Sequence, residues 1–274
     1  MVENKLDPSH FEAHIKVSKT GLLALDMLAE NTPHSKQKLK SAMSKGCVWL
    51  ESSIGIHRLR RAKKPLHKND TLHIYYDEAI LNSTPAAAEL IDDQGEYSIW
   101  NKPYGMYSQG TKWGDHCTLY RWAEQQLKPQ RQAFPVHRLD RAANGLMILA
   151  HSKKMAANFS DMFKGRKLQK RYKTTVEGSL DKLVFPYSIT SDIDNRPALS
   201  KIISIEQYKN TSTVTIEIET GRKHQIRKHL SELGHPVVGD RLYGSGNSDE
   251  NLQLQSNFLK FICPMTGTVR EYSL

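Results

Sequence analysis

The sequence of 274 residues predicts an α+β protein, in which a large domain with a mixed, mainly antiparallel sheet follows a small α/β module. Apolar and polar residues alternate strictly over residues 213–219, which is typical of a half-buried antiparallel strand. The first 80 residues instead show two short helical periods and two short strands. A segment of small and turn-forming residues, 81–89, separates the two patterns. We therefore predict a module at 1–80, a linker at 81–94 and the sheet domain at 95–274.

The small module contains two predicted helices. The first covers residues 21–30, with an apolar face that includes Leu22, Leu25 and Leu28. The second starts after Ser35, a good N-cap, and stops at Gly46. Strands are predicted at 47–51 and 71–76. The second helix carries several lysines, which are Lys36, Lys38, Lys40 and Lys45.

The large domain combines several short strands with inserted helices. We predict strands at 97–101, 145–150, 171–177, 201–206, 213–219 and 259–263. In the strand at 213–219, Val214, Ile216 and Ile218 should face the core. Ser152 can cap a helix that Gly165 ends, with an apolar face that we expect to pack in the core. A further helix opens near residue 225 and ends at Gly234.

The charge balance favours a polyanionic partner. The sequence has 39 Lys and Arg against 29 Asp and Glu, for a formal charge of +10. Part of the excess lies in one short run without an acid, although a solvated basic loop would look the same: Arg58, Arg60, Arg61, Lys63, Lys64 and Lys68. There is no apolar leader or membrane span, and the three cysteines have neither disulfide nor zinc spacing. We expect a cytoplasmic protein.

Three polar segments interrupt the predicted strands, at 101–105, 137–140 and 220–229. Asp140 precedes the apolar strand that begins at Gly145, so its carboxylate is partly desolvated and needs a cation or donors nearby. Taken alone, such an acid is more often a turn or capping residue. Arg222, His224 and Arg227 lie near the start of the last helix, where ordinary phosphate binding is the alternative to a catalytic role.

Together these segments resemble the RluA-type RNA pseudouridine synthase family over nearly all of residues 96–274. His137-Arg138-Leu139-Asp140 resembles the catalytic motif of the family, and the resemblance implies that Asp140 is the essential aspartate. It also implies that Tyr172 is the active-site tyrosine, that Arg227 pairs with the aspartate, and that Arg138 fills the space left by a flipped base. The family usually has a Thr-Ser or similar pair where this chain has Ala143-Asn144.

The small module resembles the S-four RNA-binding domain, named for a ribosomal protein. That resemblance implies that its second helix and the following loop face structured RNA. Lys102 and Arg222 are predicted to add RNA-facing charge to the large domain. In the module, the predicted RNA-binding residues are Lys36, Lys38, Arg58, Arg60 and Arg61.

The implied reaction breaks the glycosidic bond of uridine and rejoins the base through carbon 5, with no metal or other cofactor. A carboxylate at the anomeric carbon can stabilise positive charge, remove a sugar proton or bond covalently, and the residues leave these three roles open. We expect a monomer whose partner is structured ribosomal or transfer RNA, without a membrane. A non-catalytic RNA-binding or ribosome-assembly protein is the main alternative, and a methyltransferase ranks lower because no Gly-rich nucleotide loop follows a first strand.

Overall fold

The computed structural model of the protein describes residues 6–181, 183–244 and 249–274. These residues divide into two compact units. The N-terminal unit comprises Met1–Pro85 and Gln109–Trp122, and the sheet unit comprises Ala86–Ser108 and Ala123–Leu274. Residues 109–122 therefore belong to the first unit although both of their flanking segments belong to the second.

The N-terminal unit packs three helices on a four-stranded antiparallel sheet of order β1-β4-β2-β3. Both predicted helices and both predicted strands of this region are confirmed, while β1 and β3 were not predicted. Ser35 caps α2 by accepting from the Lys38 amide, and Gly46 follows the helix with a φ of 86°. The elements are β1 (His10–Lys16), α1 (Ala24–Asn31), α2 (Lys36–Ser44), β2 (Val48–Ser52), β3 (Gly55–Arg58), β4 (Thr71–Asp77) and α3 (Glu78–Leu81).

Residues 109–122 are attached to the N-terminal unit by a buried acid. The side chain of Asp115 is 1% exposed and forms ion pairs with Arg58 at 3.3 Å and Arg60 at 2.5 Å. Tyr120 donates a hydrogen bond to the same carboxylate at 2.6 Å. A side chain at Gly46 would collide with it, since a Cβ there would lie 2.3 Å from Asp115 Oδ1. The predicted boundary at residue 95 missed this segment because these contacts join residues far apart in sequence.

The sheet unit contains a ten-stranded sheet of order β10-β11-β12-β9-β13-β8-β6-β5, with β14 paired to β13 and β7 to β8. Among the described residues, all of its strand pairs are antiparallel except β13 with β8, which confirms the predicted α+β class with a mixed, mainly antiparallel sheet. The strand β5 lies inside the predicted linker 81–94. The helix α4 (Leu119–Gln126) begins in residues assigned to the N-terminal unit and ends in residues assigned to the sheet unit. The other elements are β5 (Glu89–Asp93), β6 (Tyr97–Lys102), β7 (Phe134–Pro135), β8 (Asn144–Ala150), α5 (Lys153–Lys164), β9 (Leu168–Glu177), β10 (Tyr187–Ile189), β11 (Ser200–Gln207), β12 (Thr211–Ile218), α6 (Gln225–Glu232), β13 (Leu254–Ile262) and β14 (Val269–Ser273).

The core of the sheet unit follows the predicted apolar pattern. Val214, Ile216 and Ile218 of β12 are all buried. Ser152 caps α5 by accepting from the Met155 amide at 3.2 Å, and Phe159 of that helix packs against strand residues of the core. Both predictions are confirmed. An apolar period of two residues in a strand, or of 3.6 residues in a helix, places the apolar side chains on one face, and that face is the one that is buried.

A close approach of strands sets the position of the cavity described below. Gly145 of β8 has a φ of 112°, and a Cβ there would lie 2.3 Å from the Ser256 carbonyl oxygen of β13. Ser256 is also the β13 partner of Tyr172 on β9. Only glycine fits this contact, so Gly145 lets the start of β8 approach β13, the strand that lies between β8 and β9.

Candidate active site

A cavity of about 600 Å³ opens in the sheet unit beside the start of β8. Its walls come from the segment before β8, from the end of α5 and β9, and from the loop between β12 and α6. Polar side chains from all three regions line it, among them Arg138, Asp140, Lys170, Tyr172, Arg222, His224 and Arg227. The structure therefore brings together the predicted aspartate, tyrosine and arginine.

Asp140 lies in a turn that leads into β8. Its carbonyl accepts from the Ala143 amide at 3.1 Å, and its side chain is 19% exposed to the cavity. One carboxylate oxygen, Oδ2, lies 3.3 Å from Arg227 Nη1. The other, Oδ1, lies 3.7 Å from His224 Nε2. Each oxygen of this partly buried carboxylate thus has its own polar neighbour, an arrangement that fixes its orientation.

Arg227 is shared between two acids. Its Nε and Nη2 donate to the two oxygens of Asp240, both at 2.6 Å, and only Nη1 remains for Asp140. The predicted pairing of Arg227 with Asp140 is present, but Asp240 is the closer partner. The bidentate geometry matches the fixed fork of a guanidinium. Arg227 therefore stays rigid and directs one N–H at Asp140.

Asp240 was not identified as a site residue from the sequence. Its side chain is 0% exposed, and it also accepts from the backbone amides of Leu242 at 2.9 Å and Tyr243 at 3.1 Å. Burial opposes its ionisation, but the hydrogen bonds from Arg227 and from these amides hold the pKa of Asp240 below its usual value. The run 239–244, Gly-Asp-Arg-Leu-Tyr-Gly, contains an acid and an aromatic residue that could have suggested a role.

Tyr172 forms part of the cavity wall from the middle of β9. It pairs with Ile216 of β12 on one side and with Ser256 of β13 on the other, and it is 7% exposed. Burial raises the pKa of the Tyr172 hydroxyl to about 12. The hydroxyl is therefore neutral, and Tyr172 contributes an aromatic side chain to the cavity wall.

The prediction that Lys102 faces RNA is wrong. Lys102 is 0% exposed, and its ammonium donates to the carbonyls of Pro103 at 3.0 Å and Met106 at 2.9 Å. Burial lowers the pKa of Lys102 to about 7, against the opposing charge of Asp140. These hydrogen bonds tie the ammonium to the turn after β6. No pattern in the sequence indicates that this amine points inward.

Two of the predicted RNA-binding arginines are instead occupied inside the N-terminal unit. Arg58 donates to the carbonyls of Gly46 and Thr111, and its guanidinium lies 4.2 Å from the centre of the Trp49 ring. Arg60 is paired with Asp115, as described above. These contacts hold Arg58 and Arg60 against the N-terminal unit, but the single carboxylate of Asp115 balances only one of their two charges. RNA binding by Arg58 and Arg60 stays a prediction.

The other predicted RNA-binding residues have accessible side chains. Lys36 pairs with Asp26 at 2.7 Å and Lys38 with Glu78 at 2.9 Å, but all four side chains are well exposed. Arg61 is exposed and has no ion pair within the described part of the chain. In the sheet unit, Arg138 is exposed at the cavity, and Arg222 lines it while donating to the Pro197 carbonyl at 3.1 Å.

His137 has a structural position next to the cavity. Its Nε2 accepts from the Ile148 amide of β8 at 2.9 Å, and its ring lies 4.9 Å from that of Phe163. Burial lowers the pKa of His137 to about 3, so the imidazole is neutral.

The pair Ala143-Asn144, which departs from the usual family pattern, lies next to the cavity. Ala143 lines the cavity, and Asn144 pairs with Gln255 at the start of β8.

The chain matches known proteins over the part that holds this site. The family model described as RNA pseudouridylate synthase matches residues 96–232. The tRNA pseudouridine synthase C of Vibrio cholerae is 30% identical over 210 residues, which cover 63% of this chain and 85% of that protein. RNA pseudouridine synthase 5 of Arabidopsis thaliana is 35% identical over 210 residues, which cover 60% of this chain and 56% of that protein.

A solved structure shares the fold. The human RNA pseudouridylate synthase domain containing 1 superimposes with a TM-score of 0.58 at 23% identity, over 70% of this chain and 86% of that one. None of the helices in the described ranges is long and apolar enough to span a membrane. From the match of the family model and of the relatives, the chain belongs to the RNA pseudouridylate synthase family, whose members are isomerases acting on RNA.

Proposed function

We propose that this enzyme isomerises specific uridines in structured RNA to pseudouridine, with Asp140 as the catalytic carboxylate. The observation that carries the proposal is the position of Asp140 inside the cavity, with Oδ2 at 3.3 Å from Arg227 and Tyr172 in the same wall. The main alternative, a non-catalytic RNA-binding protein on the same fold, does not need these three side chains in one cavity. Their assembly favours catalysis.

The reaction exchanges one bond for another at the same sugar carbon. The bond from uracil N1 to C1′ breaks, the base rotates, a bond from C5 to C1′ forms, and the proton of C5 is released while N1 gains one. A carboxylate at C1′ can bond to that carbon or remove a proton from the neighbouring sugar carbon, and either role requires its unprotonated form. Arg227 supports that form by placing a cation 3.3 Å from Asp140 Oδ2.

Tyr172 is suited to hold the base during its rotation. A detached uracil needs a flat apolar surface and few fixed hydrogen bonds, so that it can turn before it rejoins the sugar. The buried ring of Tyr172 offers such a face, and its hydroxyl stays neutral because its pKa is raised to about 12. In this proposal Tyr172 contacts the base and Asp140 contacts the sugar.

The uridine must leave its stack to reach Asp140. The carboxylate is only 19% exposed and lies in a cavity of about 600 Å³, a size typical of pockets that enclose a small molecule. Extruding a nucleotide costs a few kcal/mol. Arg138 is exposed at the cavity two residues before Asp140, where it can occupy the space that the base leaves in the RNA.

Basic side chains at the cavity can bind the RNA backbone. Phosphates next to the flipped nucleotide would meet positive charge from the α5–β9 side and from the loop before α6. These residues are Lys164, Arg166, Lys170, Arg222 and Lys223. Because several relatives are named tRNA pseudouridine synthases, we infer that transfer RNA is the first substrate to test, ahead of ribosomal RNA.

The proposal is tested by incubating the purified protein with total transfer and ribosomal RNA, without added cofactor, and mapping pseudouridine chemically. We expect discrete new sites with the wild type and none with Asp140→Ala, while the variant still binds RNA. RNA binding by the wild type without any new pseudouridine would instead support the non-catalytic alternative.

A further inference from the structure

We propose that His224, oriented by Tyr243, is a positioning residue that holds the second oxygen of Asp140. The inference rests on the proposed function, because it gives His224 a part in the chemistry of Asp140. It adds a second support to the carboxylate: Arg227 Nη1 donates to Oδ2 at 3.3 Å, and His224 Nε2 lies 3.7 Å from Oδ1. Holding both oxygens fixes the carboxylate plane relative to the sugar.

The contact between His224 and Tyr243 selects the tautomer of the imidazole. The Tyr243 hydroxyl lies 2.9 Å from His224 Nδ1, and Nε2 lies 3.7 Å from Asp140 Oδ1. If the hydroxyl donates to Nδ1, the ring proton sits on Nε2 and points towards the carboxylate. The opposite tautomer would aim a lone pair at a negative oxygen, so electrostatics favour the first. The separation of 3.7 Å is longer than a hydrogen bond, and we expect it to shorten when substrate binds.

The backbone of His224 is held in an uncommon conformation. Its φ is 55°, in the left-handed region, and it forms the N-cap of α6 without a capping hydrogen bond from its side chain. Non-glycine residues adopt this region at some cost, and such positions cluster at functional sites. Here the consequence is geometric: the imidazole is directed into the cavity, where its side chain is 15% exposed.

Tyr243 is anchored in part by Asp240, the acid that also holds Arg227. Its amide donates to Asp240, its carbonyl accepts from Ser231 Oγ at 2.7 Å, and its ring centre lies 5.1 Å from the Arg227 guanidinium. Asp240 therefore fixes both supports of Asp140, one through Arg227 and the other through Tyr243 and His224. Because Asp240 is common to both, we expect a displacement of Arg227 to displace Tyr243 and His224 as well.

A neutral donor suits this position better than a second cation. Asp140, Asp240 and Arg227 carry a net single negative charge, which leaves the catalytic carboxylate reactive. Burial, followed by the charges of Arg227 and Lys223, lowers the pKa of His224 against the opposing effect of Asp140 and Asp240. The imidazole is neutral at pH 7. On protonation both ring nitrogens become donors, so the hydroxyl of Tyr243 loses its acceptor and a full charge faces Asp140.

The test compares His224→Asn with His224→Gln in single-turnover pseudouridine formation. Asparagine tolerates the left-handed backbone but is too short to reach Asp140, whereas glutamine can place an amide N–H near the position of Nε2. We expect the rate constant at saturating RNA to fall about 10- to 100-fold in the Asn variant, because that variant loses one hydrogen bond to a charged group. The Gln variant should largely retain the wild-type rate constant. Tyr243→Phe should fall between them, with little change in the RNA concentration for half-saturation.

Two further readouts separate positioning from a structural role. The rate of the wild type should decline on acidification through the pKa of His224, and this part of the pH profile should be missing in the Gln variant. His235→Gln is the matched control, because His235 binds the Glu177 carbonyl and does not line the cavity. Wild-type rate and pH profile in His224→Asn would overturn the proposal, as would a loss seen only in RNA affinity or melting temperature.

Nitrogen-15 NMR of the His224 imidazole makes the outcome independent of activity. We expect the Nε2–H tautomer in the wild type, and a changed tautomer balance or pKa in both Asp140→Asn and Tyr243→Phe. An Nδ1–H tautomer, or no response to Asp140→Asn, would reject the role of His224 even if the enzyme is active. A wild type that forms no pseudouridine but shows the expected NMR response would reject the proposed function alone.

Discussion

At the scale of single residues, the guanidinium of Arg227 forms hydrogen bonds with two carboxylates, those of Asp240 and Asp140. Asp240 pairs with two nitrogens of Arg227, Nε and Nη2, in a bidentate geometry, and Asp140 pairs with the third nitrogen, Nη1. The buried acid therefore balances most of the charge of Arg227, and Asp140 keeps its access to the cavity. Arg227 orients Asp140 without being its exclusive partner.

Replacing Asp240 by asparagine tests this division. The change leaves a buried guanidinium without its closest counter-charge, so the free energy of unfolding should fall by about 3–5 kcal/mol. The freed Arg227 should also pair more tightly with Asp140 and lower the rate of pseudouridine formation. Urea denaturation measures the first effect. Asp194→Asn is the control, since Asp194 pairs with Lys228 at an exposed site, where an ion pair contributes little to stability. Equal losses for the two variants would contradict the account.

His137 predicts a pH dependence of stability. Its pKa is lowered from 6.5 to about 3 in the folded protein, because burial disfavours the charged imidazole. Between these values the unfolded chain binds a proton that the folded chain does not, so stability decreases as the pH falls from 6.5 towards 3. In His137→Gln this contribution is removed. Unfolding free energies measured from pH 7 to 4 should decline less steeply in the variant, and parallel curves would exclude the effect.

The sequence could predict residues whose spacing forms a motif, but not those whose partners come from elsewhere in the chain. Asp140, Tyr172 and Arg227 were found through three separate motifs. The roles of His224 and Asp240 depend on contacts that only the folded chain brings together. Lys102 was mispredicted for a physical reason: lysine is almost never fully buried, so an exposed position was the default expectation.

At the scale of secondary-structure elements, the strands that pair with a neighbour on both sides could be predicted from the sequence, and the edge strands could not. The central strands β8, β9 and β12 have strongly buried apolar positions, and the predicted ranges overlap them closely. By contrast, β3 and β14 contain no buried residue, so they lack the alternating pattern on which the prediction depends. Their pairing is set by neighbouring strands, not by their own side chains.

Substitution of Gly145 tests whether the close packing of β8 against β13 is needed for the fold around the cavity. A methyl group there would meet backbone atoms of Ser256 at 2.3 to 2.8 Å, and the φ of 112° is unfavourable for alanine. We expect Gly145→Ala to destabilise the protein by more than about 2 kcal/mol, from strain and from separation of β8 and β13. Thermal unfolding measures this. Gly221→Ala, with open space around the added carbon, should change stability little. A similar melting temperature for both variants would show that the strands do not need this contact.

At the scale of the whole molecule, the formal charge of +10 favours binding to RNA. The individual Lys and Arg side chains differ, however, in how free they are to contact phosphates. Arg58 and Arg60 are committed to the N-terminal unit, where they hold residues 109–122 through Asp115. Deleting residues 1–80 would therefore also remove the contacts of a segment that the sheet unit carries. Substitution of exposed cations is the better test of RNA binding by the N-terminal unit.

The double variant Lys40→Ala/Arg61→Ala applies that test. Both side chains are exposed, and if each contacts a phosphate, the slope of log affinity against log salt should become shallower by about 1.5. The control is Lys153→Ala/Lys154→Ala, two exposed lysines of α5 that do not line the cavity. Filter binding of transfer RNA at several salt concentrations gives both slopes. Equal slopes for the two double variants would mean that the N-terminal unit does not bind the RNA backbone.

The central claim, that Asp140 isomerises uridine in RNA, is tested most directly by release of the C5 hydrogen. Transfer RNA made with uridine tritiated at C5 loses tritium to water only when carbon 5 forms its new bond to the sugar. The account predicts tritium release by the wild type and none by Asp140→Asn, with both proteins binding the RNA equally well. Release at the wild-type rate by Asp140→Asn, or no release by the wild type on any transfer or ribosomal RNA, would contradict it.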